Sequence, residues 1–350
     1  MTRLKLRKAD DMHVHLRQGN LLEHILEQTI PQVARAVVMP NTTPAIENVE
    51  TLKNYRQTIL NSLTHINTRI GKYYNFQPLM TFKIVPNMSV ETVKQLKVAG
   101  AIAGKLYPQG VTTNSEHGVK DFTALYPIYE AMDKEDLALC VHGEEPEAFC
   151  LDREKAFLPM LKQIANDFPK LRIVLEHLTT AEAVTLVEAL PKNVAGTLTI
   201  HHLLTTLDDV VGDHLKPHLF CKPLPKRSLD RAALVQAAIS GNAKFFLGSD
   251  SAPHPIEKKE CECGAAGVYT APVLLPLLAQ IFQEKDKLDK LESFVSQHGA
   301  KFYNLPLNEE TIELIEEPWV VPTQIHGVVP FMAGQKLSGL IEKDIRSLLL

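Results

Sequence analysis

The sequence lacks the features that mark secreted and membrane proteins. Its five cysteines are odd in number and sparse among 350 residues, which argues against a disulfide framework. No apolar run approaches the roughly 20 residues of a membrane-spanning helix. The segment from Met1 to Asp10 also lacks the apolar core of a signal peptide. We therefore expect a cytoplasmic protein with no membrane partner.

An excess of charge of one sign is missing as well. The chain has 37 Lys and Arg against 41 Asp and Glu, which gives a net charge of −4. Proteins that bind nucleic acid usually carry a basic surface, so we expect no nucleic-acid partner. Cys261 and Cys263 resemble half of a structural zinc site, but the sequence has no second closely spaced pair to complete it. What remains is an ordinary soluble composition, 45% hydrophobic and 22% charged.

Short apolar segments alternate with amphipathic segments along most of the chain. The former have the length of buried strands, and the latter repeat apolar residues at helical spacing. Eight strands are predicted, one within residues 11–17 and the others at 35–39, 79–85, 102–107, 137–142, 172–177, 195–200 and 244–249. Strands that alternate with helices indicate a parallel sheet, and eight of them predict closure into an α/β fold, the (β/α)8 TIM barrel.

Helices are predicted between these strands and after the last one. Their ranges are 21–30, 49–63, 89–99, 122–134, 155–167, 181–189, 229–239, 271–282 and 288–298. The link from the seventh strand to the eighth is long and irregular. We predict one domain spanning residues 1–350, in which a C-terminal extension at about 305–350 packs on the outside of the barrel.

Polar residues lie at the ends of these otherwise apolar strands. Active sites of such barrels form at the C-terminal ends of the strands, where these side chains would converge. Each one alone has an ordinary explanation as a hydrogen-bonded residue at a strand end. Together they form a natural ligand set for two divalent ions: His13, His15, Lys105, His142, His177 and Asp250.

Lys105 is the unusual member of this set. A protonated amine has no lone pair and repels metal ions, so Lys105 either binds the substrate as a cation or is chemically altered. Carbamylation by carbon dioxide would give it a carboxylate whose two oxygens can bridge two ions. That reaction needs the neutral amine, which a buried apolar strand and nearby cations both favour.

Six segments together resemble the dihydroorotase family, of the shorter bacterial type, in the amidohydrolase superfamily. They are residues 11–17 (DMHVHLR), 38–42 (VMPNT), 104–108 (GKLYP), 141–144 (VHGE), 176–180 (EHLTT) and 248–254 (GSDSAPH). The resemblance covers nearly the whole chain. It implies a (β/α)8 barrel with a binuclear zinc centre that makes dihydroorotate from N-carbamoyl-L-aspartate, the third step of de novo pyrimidine biosynthesis. It also implies a homodimer.

The resemblance implies a role for each residue of the set. Around the more buried metal it places His13, His15, carbamylated Lys105 and Asp250, and around the more exposed metal Lys105, His142 and His177. Asp250 would in addition carry the catalytic proton.

The resemblance also implies how the substrate is held. Arg17, Asn41 and His254 would contact its carboxylate, while the backbone at Lys222 and Ala266 would contact its ring. The family has leucine where this chain has Lys222, so an added cation lies near the mouth of the site.

A loop rich in Gly, Thr, Asn and Ser spans residues 108–118 and follows the strand that bears Lys105. Such a composition is common in plain solvated connectors. The resemblance instead implies that Thr112 and Thr113 form a lid over the substrate.

Two alternatives stay open at the level of sequence. A hydantoinase or allantoinase of the same superfamily would share the metal ligands, but it binds a neutral ring and would not need Arg17 or His254. A catalytically inactive barrel that serves as a scaffold would have lost metal ligands, and none is missing here. The sequence alone decides neither the metals bound, nor the state of Lys105, nor the oligomeric state.

Overall fold

The computed structural model describes residues 3–111, 118–337 and 340–342. Its strands, in chain order, are β1 (Arg3–Arg7), β2 (Ala9–Val14), β3 (Val33–Val38), β4 (Gln77–Lys83), β5 (Ala101–Leu106), β6 (Ala138–Val141), β7 (Ile173–Leu175), β8 (Val194–Leu198), β9 (Phe245–Leu247), β10 (Thr311–Glu316), β11 (Trp319–Val320), β12 (Lys336–Leu337) and β13 (Leu340–Glu342). Strands β2 to β9 form one eight-stranded parallel sheet in sequential order.

Hydrogen bonds between the first and last strands of this sheet close it into a barrel. The amide of Asp250 donates to the carbonyl of His13 at 2.8 Å, and the amide of His15 donates to Ser251 at 3.1 Å. Sequential order, parallel pairing and closure together confirm the predicted (β/α)8 barrel. The closing bonds involve residues of the predicted site, so the seam of the barrel and the site coincide.

The helices surround this barrel. They are α1 (Asn20–Thr29), α2 (Val49–Ile70), α3 (Val90–Val98), α4 (Tyr126–Lys134), α5 (Arg153–Asp167), α6 (Ala181–Ala189), α7 (Ile200–Leu204), α8 (Leu207–Val211), α9 (Ser228–Ile239), α10 (Ile256–Lys259), α11 (Leu274–Glu284), α12 (Leu288–Glu292) and α13 (His298–Phe302). Side chains cap several of their N-termini, as where Asn48 accepts from the amide of Thr51 at 2.9 Å. No helix in the described ranges has both the length and the apolar character that crossing a membrane requires.

The region between β8 and β9 differs from the prediction. Strand β8 ends at Leu198, and Ile200, predicted as its last residue, instead begins α7. The hydroxyl of Thr199 accepts from the amide of His202 at 3.2 Å and caps this helix. The irregular link that the sequence indicated therefore contains α7, α8 and α9.

An apolar cluster of mixed side-chain size fills the barrel below the strand ends. The interior cluster consists of Met12, Val37, Met39, Leu79, Ala103, Ala138, Cys140, Val174, Ala195, Phe246 and Tyr303. A larger apolar layer lies between the strands and the surrounding helices. The packed interior leaves the C-terminal ends of the strands as the place where polar groups can gather.

The N-terminal segment and the C-terminal segment pair with each other. Strand β10 lies between β1 and β13, antiparallel to both. Arg35 of β3 donates two hydrogen bonds to Asp10, at 2.8 and 2.6 Å, and a third to the carbonyl of Pro306 at 2.8 Å. This arginine thereby joins the barrel to the start of the C-terminal segment.

Candidate active site

The structure brings most of the predicted site residues around one pocket at the C-terminal ends of the strands. Those that line it are His13, His15, Arg17, Asn41, His142, His177, Lys222, Asp250 and Ala266. Lys105 is fully buried beneath them, and His254 contacts Arg17. Thr112 and Thr113 lie outside the described residues.

Three of these residues have a left-handed backbone, which non-glycine residues rarely adopt. The φ angles are 60° at Arg17, 44° at His177 and 43° at Asp250. Such conformations cost about 1–3 kcal/mol each and concentrate at functional sites. The turns redirect the chain as it leaves the barrel, so that all three side chains face the pocket.

The first barrel strand ends earlier than residues 11–17 would allow, and it is irregular. Strand β2 ends at Val14, and its pairing with β3 is irregular between Asp11 and Val14. His13 and His15 are nevertheless neighbours, with ring centroids 5.4 Å apart. Arg17 lies beyond the end of β2 and reaches the pocket through its left-handed turn.

A compact group of potential metal ligands occupies the floor of the pocket. The Oδ1 atom of Asp250 lies 3.4 Å from Nε2 of His13 and 3.1 Å from Nε2 of His15. Ligand atoms of His13, His177 and Asp250 lie within 4.8 Å of one another, and His142 stacks edge-on against His177 with ring centroids 4.6 Å apart. Imidazole nitrogens and a carboxylate in this arrangement are typical zinc ligands.

Burial keeps these ligands in the protonation states that metal binding requires. It lowers the pKa of His15 to about 4 and that of His177 well below its usual value, so both rings are neutral with a free lone pair. Burial alone would raise the pKa of Asp250, but the hydrogen bond from His15 and the nearby histidines lower it well below its usual value. The floor therefore offers neutral imidazoles and an ionised carboxylate.

Two glutamates that we did not predict as site residues orient the histidines. Glu176 Oε2 lies 2.8 Å from Nδ1 of His13 and also accepts from the hydroxyl of Thr197 at 2.7 Å. Glu144 Oε2 lies 2.8 Å from Nε2 of His142. Carboxylates in this position fix the ring and its tautomer and leave the other nitrogen for a metal. The sequence contains one signal that could have identified them, because Glu144 and Glu176 each lie within two residues of a strand-end histidine.

Lys105 is the clearest sign that the site is built for a further group. Its Nζ atom is buried and has no hydrogen-bond partner among the described residues, and burial lowers its pKa. Nδ1 of His177 likewise lacks a partner in the described part of the chain. Buried polar atoms normally have partners. A carboxylated Lys105 and bound metal ions would satisfy both atoms, so the residues present fit such a centre.

A second, cationic part of the pocket lies beside this floor. Arg17 donates from Nε to the carbonyl of Pro253 at 2.8 Å, and its Nη2 lies 2.9 Å from Nε2 of His254. The same Nε2 atom is 3.1 Å from the carbonyl of Ala266. Burial lowers the pKa of Arg17 to about 10 and that of His254 to about 3, so at neutral pH the guanidinium is charged and the imidazole is neutral. This pair can receive a carboxylate.

Two other groups of potential ligands have different explanations. They are His201, His202 and Cys221, and His24, Glu27 and His326. In the first, both His202 and Cys221 already hydrogen-bond the carbonyl of Pro223, at 3.0 and 3.3 Å. In the second, the two imidazole rings stack at 3.6 Å and 13°, so their in-plane lone pairs cannot converge on one ion.

Comparison with known proteins agrees with this geometry. The model of the amidohydrolase family matches residues 11–330. A dihydroorotase of Aliivibrio fischeri is 42% identical over 98% of this chain and 100% of its own length.

Two solved structures are also similar. A dihydroorotase of Saccharomyces cerevisiae in complex with 5-fluoroorotic acid is 36% identical, with a TM-score of 0.88 over 98% of this chain and 99% of the other. A dihydroorotase of Campylobacter jejuni is 40% identical, with a TM-score of 0.88 over 97% of both chains. The chain therefore belongs to the amidohydrolase family and, within it, to the dihydroorotases.

Proposed function

We propose that this protein catalyses the reversible cyclisation of N-carbamoyl-L-aspartate to (S)-dihydroorotate and water, the third step of de novo pyrimidine biosynthesis. The observation that carries the proposal is the Arg17–His254 pair, a receptor for a carboxylate, directly beside the histidines and Asp250 of the pocket floor. A cyclic amide that bears a carboxylate is the substrate class for which both parts are needed.

We propose that two zinc ions occupy the floor of this pocket. His13, His15, Asp250 and the carboxylate of modified Lys105 would hold the first ion, and His142, His177 and the same modified lysine the second. When bound, the ions activate water and polarise the carbonyl that is attacked. Glu176 and Glu144 support this by orienting His13 and His142.

Binding would begin with the substrate carboxylate. Arg17 provides two N–H groups in a plane, which matches the two oxygens of a carboxylate. Asn41 and His254 would complete this contact. The backbone at Lys222 and Ala266 lines the same pocket and would contact the ring edge. The added ammonium of Lys222 increases the positive charge at the mouth, which favours an anionic substrate.

Asp250 would move the proton during the reaction. In hydrolysis its carboxylate accepts a proton from the attacking water and delivers it to the amide nitrogen as the ring opens. The low pKa of Asp250 keeps it ionised and ready to accept this proton. In ring closure the same steps run in reverse.

One assay tests the reaction directly. N-carbamoyl-L-aspartate carries two ionised carboxylates and dihydroorotate one, so ring closure consumes a proton. The equilibrium ratio of dihydroorotate to N-carbamoyl-L-aspartate should rise about tenfold per unit fall in pH near neutrality. A pH indicator measures the proton uptake during ring closure, and zinc content is measured on the same sample. A ratio that does not change with pH would contradict the proposed reaction.

Substrate choice separates the proposal from its nearest alternative. A hydantoinase or allantoinase acts on neutral rings, for which the Arg17–His254 pair has no partner. We expect turnover of dihydroorotate and little turnover of hydantoin or allantoin. The reverse preference would assign the pocket to a neutral cyclic amide. We further propose that the protein is cytoplasmic and forms a homodimer. Sedimentation velocity measures the oligomeric state and would contradict the dimer if it showed a monomer.

A further inference from the structure

Lys259, at the C-terminal end of α10, is a lysine buried close to the pocket. Its relative exposure is only 3%. Its Nζ atom donates to three backbone carbonyls, those of Phe220 at 2.9 Å, Ala265 at 2.8 Å and Gly267 at 2.7 Å. An ammonium has three N–H groups, so these three carbonyls use all of its donors. None of its N–H groups remains for a carboxylate or for substrate.

The three carbonyls belong to the two segments of backbone that form one wall of the pocket. Phe220 directly precedes Cys221 and Lys222, and Ala265 and Gly267 flank Ala266. The amide of Gly267 also donates to the carbonyl of Phe220 at 2.9 Å. Lys259 therefore connects these two segments, which are far apart in the sequence, through a single nitrogen atom.

These contacts also determine which polar groups of the wall face the pocket. The amide of Ala265 donates to Lys258 at 2.7 Å, and the carbonyls of Ala265 and Gly267 both accept from Lys259. The carbonyls on both sides of Ala266 thus turn toward α10. The carbonyl of Ala266 turns the other way, to His254 at 3.1 Å. Ala266 is the residue left to offer its backbone to a ligand.

The wall has little freedom to move in other ways. Gly267 has a φ of 146°, and a Cβ atom there would lie 2.2 Å from the carbonyl oxygen of Ala252. This segment therefore packs directly on the loop that follows Asp250. Fixing residues 265–267 against residue 220 sets the distance between the Ala266 and Lys222 backbones.

We propose that Lys259 is a positioning residue for substrate recognition, holding the backbone of Lys222 and of Ala266 at the spacing that receives the edge of the substrate ring. The inference rests on the proposed function. It extends that function in one respect. Recognition of the substrate ring, unlike that of the carboxylate, would depend on a buried cation that does not contact the substrate.

The charge of Lys259 is compatible with this role. Burial lowers the pKa of Lys259 to about 8, so the amine is largely protonated near neutral pH and can donate to all three carbonyls. Replacing it with methionine keeps a similar length but removes the ammonium donor from all three carbonyls. Among the described residues, only the carbonyl of Phe220 keeps a second donor, the amide of Gly267. Buried acceptors that lose a partner reorganise or bind water.

The experiment compares Lys259→Met with Lys258→Met, which changes an exposed neighbour on the same helix. Two probes are titrated into each zinc-loaded variant: 5-fluoroorotic acid, which has a ring and a carboxylate, and succinate, which has no ring. For Lys259→Met we expect affinity for 5-fluoroorotic acid to fall about tenfold or more, a loss of about 1.4 kcal/mol. Succinate affinity and zinc content should stay within about twofold of the wild type. Lys258→Met should match the wild type with both probes.

Other results would contradict the positioning role of Lys259. Unchanged affinity for 5-fluoroorotic acid, or an equal loss for both probes with loss of zinc, would overturn the positioning role. If Lys259→Met does not fold, Lys259→Arg takes its place, because arginine keeps the charge and the donors in another geometry. Its affinity for 5-fluoroorotic acid should fall, by less than the loss expected for methionine, while its affinity for succinate stays unchanged. Failure of both variants to fold would make Lys259 a structural residue. A wild type that neither binds 5-fluoroorotic acid nor hydrolyses dihydroorotate would instead contradict the proposed function.

Discussion

At the scale of single residues, the environment of Lys105 sets it apart from an ordinary lysine. Its amine is buried in β5 without a partner among the described residues and lies 5.4 Å from the ring centroid of Tyr107. Burial lowers its pKa, which increases the fraction of neutral amine that can attack carbon dioxide. An unmodified lysine in this place would hold a costly unpaired group. The proposed carbamate would explain why a lysine occupies this position.

Substitution of Lys105 tests the bridging role. Neither arginine nor alanine can supply bridging oxygens, so Lys105→Arg and Lys105→Ala should both lose most activity and at least one metal ion. Adding acetate or propionate to Lys105→Ala should restore part of the activity, because a short acid can occupy the space and bridge the ions. Activity and metal content by atomic absorption are the measurements.

A short alkylamine is the matched control for this rescue. It restores a positive charge but no oxygens, so it should not restore activity. Rescue by the amine would show that Lys105 acts as a plain cation, and a fully metallated and active Lys105→Ala would show that no bridging lysine is needed. Either result would contradict the binuclear mechanism.

Arg17 permits a second test at this scale. Lysine keeps the charge but loses the planar pair of donors, so Arg17→Lys should weaken the substrate contact by roughly 1.5–3 kcal/mol. The loss should lie mostly in kcat/KM, measured with dihydroorotate, while zinc content stays intact. If Arg17→Lys loses zinc instead, then Arg17 supports the metal site and our role for it is wrong.

At the scale of elements, the strands deliver the site residues and the turns after them set their directions. Lys105 lies within β5, whereas His142 directly follows β6 and Asp250 lies three residues beyond β9. The ends of parallel strands therefore determine where the candidate metal ligands are. The left-handed turns at His177 and Asp250 determine where they point.

The loop after β5 is the element whose role is still a prediction. Its base is held by two hydrogen bonds, from the amide of Val119 to Tyr107 at 2.8 Å and from the amide of Gln109 to Val119 at 3.1 Å. Thr112 and Thr113 lie between these anchors, outside the described residues. The anchors keep the ends of the loop beside the pocket.

Replacing both threonines tests whether this loop closes over the substrate. The double variant Thr112→Ala and Thr113→Ala should lower turnover about tenfold or more with zinc unchanged, because the closing contacts are lost. Thr64→Ala with Thr68→Ala, on the exposed face of α2, is the matched control and should be fully active. Wild-type rates in the loop variant would make the loop a plain connector.

At the scale of the whole molecule, strands near the two ends of the described chain pair with each other beside the N-terminal end of β2. Strand β1 pairs with β10, and Lys8 donates to Glu310 at 3.1 Å. Asp10 accepts from Arg35 and also from Asn308 at 2.6 Å. These contacts attach the C-terminal segment without involving the pocket.

Loss of Arg35 should therefore reduce stability and not catalysis. Removing one partner of a buried ion pair leaves an uncompensated charge, so Arg35→Met should lower the free energy of unfolding by about 3–5 kcal/mol. Denaturant unfolding measures this, with KM for dihydroorotate unchanged. Arg3→Met, which breaks the exposed pair with Glu313, should cost about 0–1 kcal/mol. Equal effects of the two variants would show that Asp10 and Arg35 do not anchor the segment.

Much of this molecule could be predicted from patterns within single elements. Most of the barrel strands were predicted because each is a short apolar run next to a helical pattern. The residues at their ends were predicted because polar side chains such as His177 and Asp250 interrupt those runs. Both signals depend on spacings of a few residues, which the sequence displays directly.

Contacts between distant segments were decided only by the tertiary structure. Strand β1 is short and alternates basic and apolar residues, and it becomes a strand because β10, some 300 residues later, provides its partner. Glu176 orients His13, and Lys259 connects residues 220 and 265–267, through contacts that no local spacing encodes. The sequence thus determined the order of the eight barrel strands and the candidate metal-ligand set, because side-chain periodicity is local. The folded chain decided the directions and the supporting contacts, because these depend on packing between residues far apart in sequence.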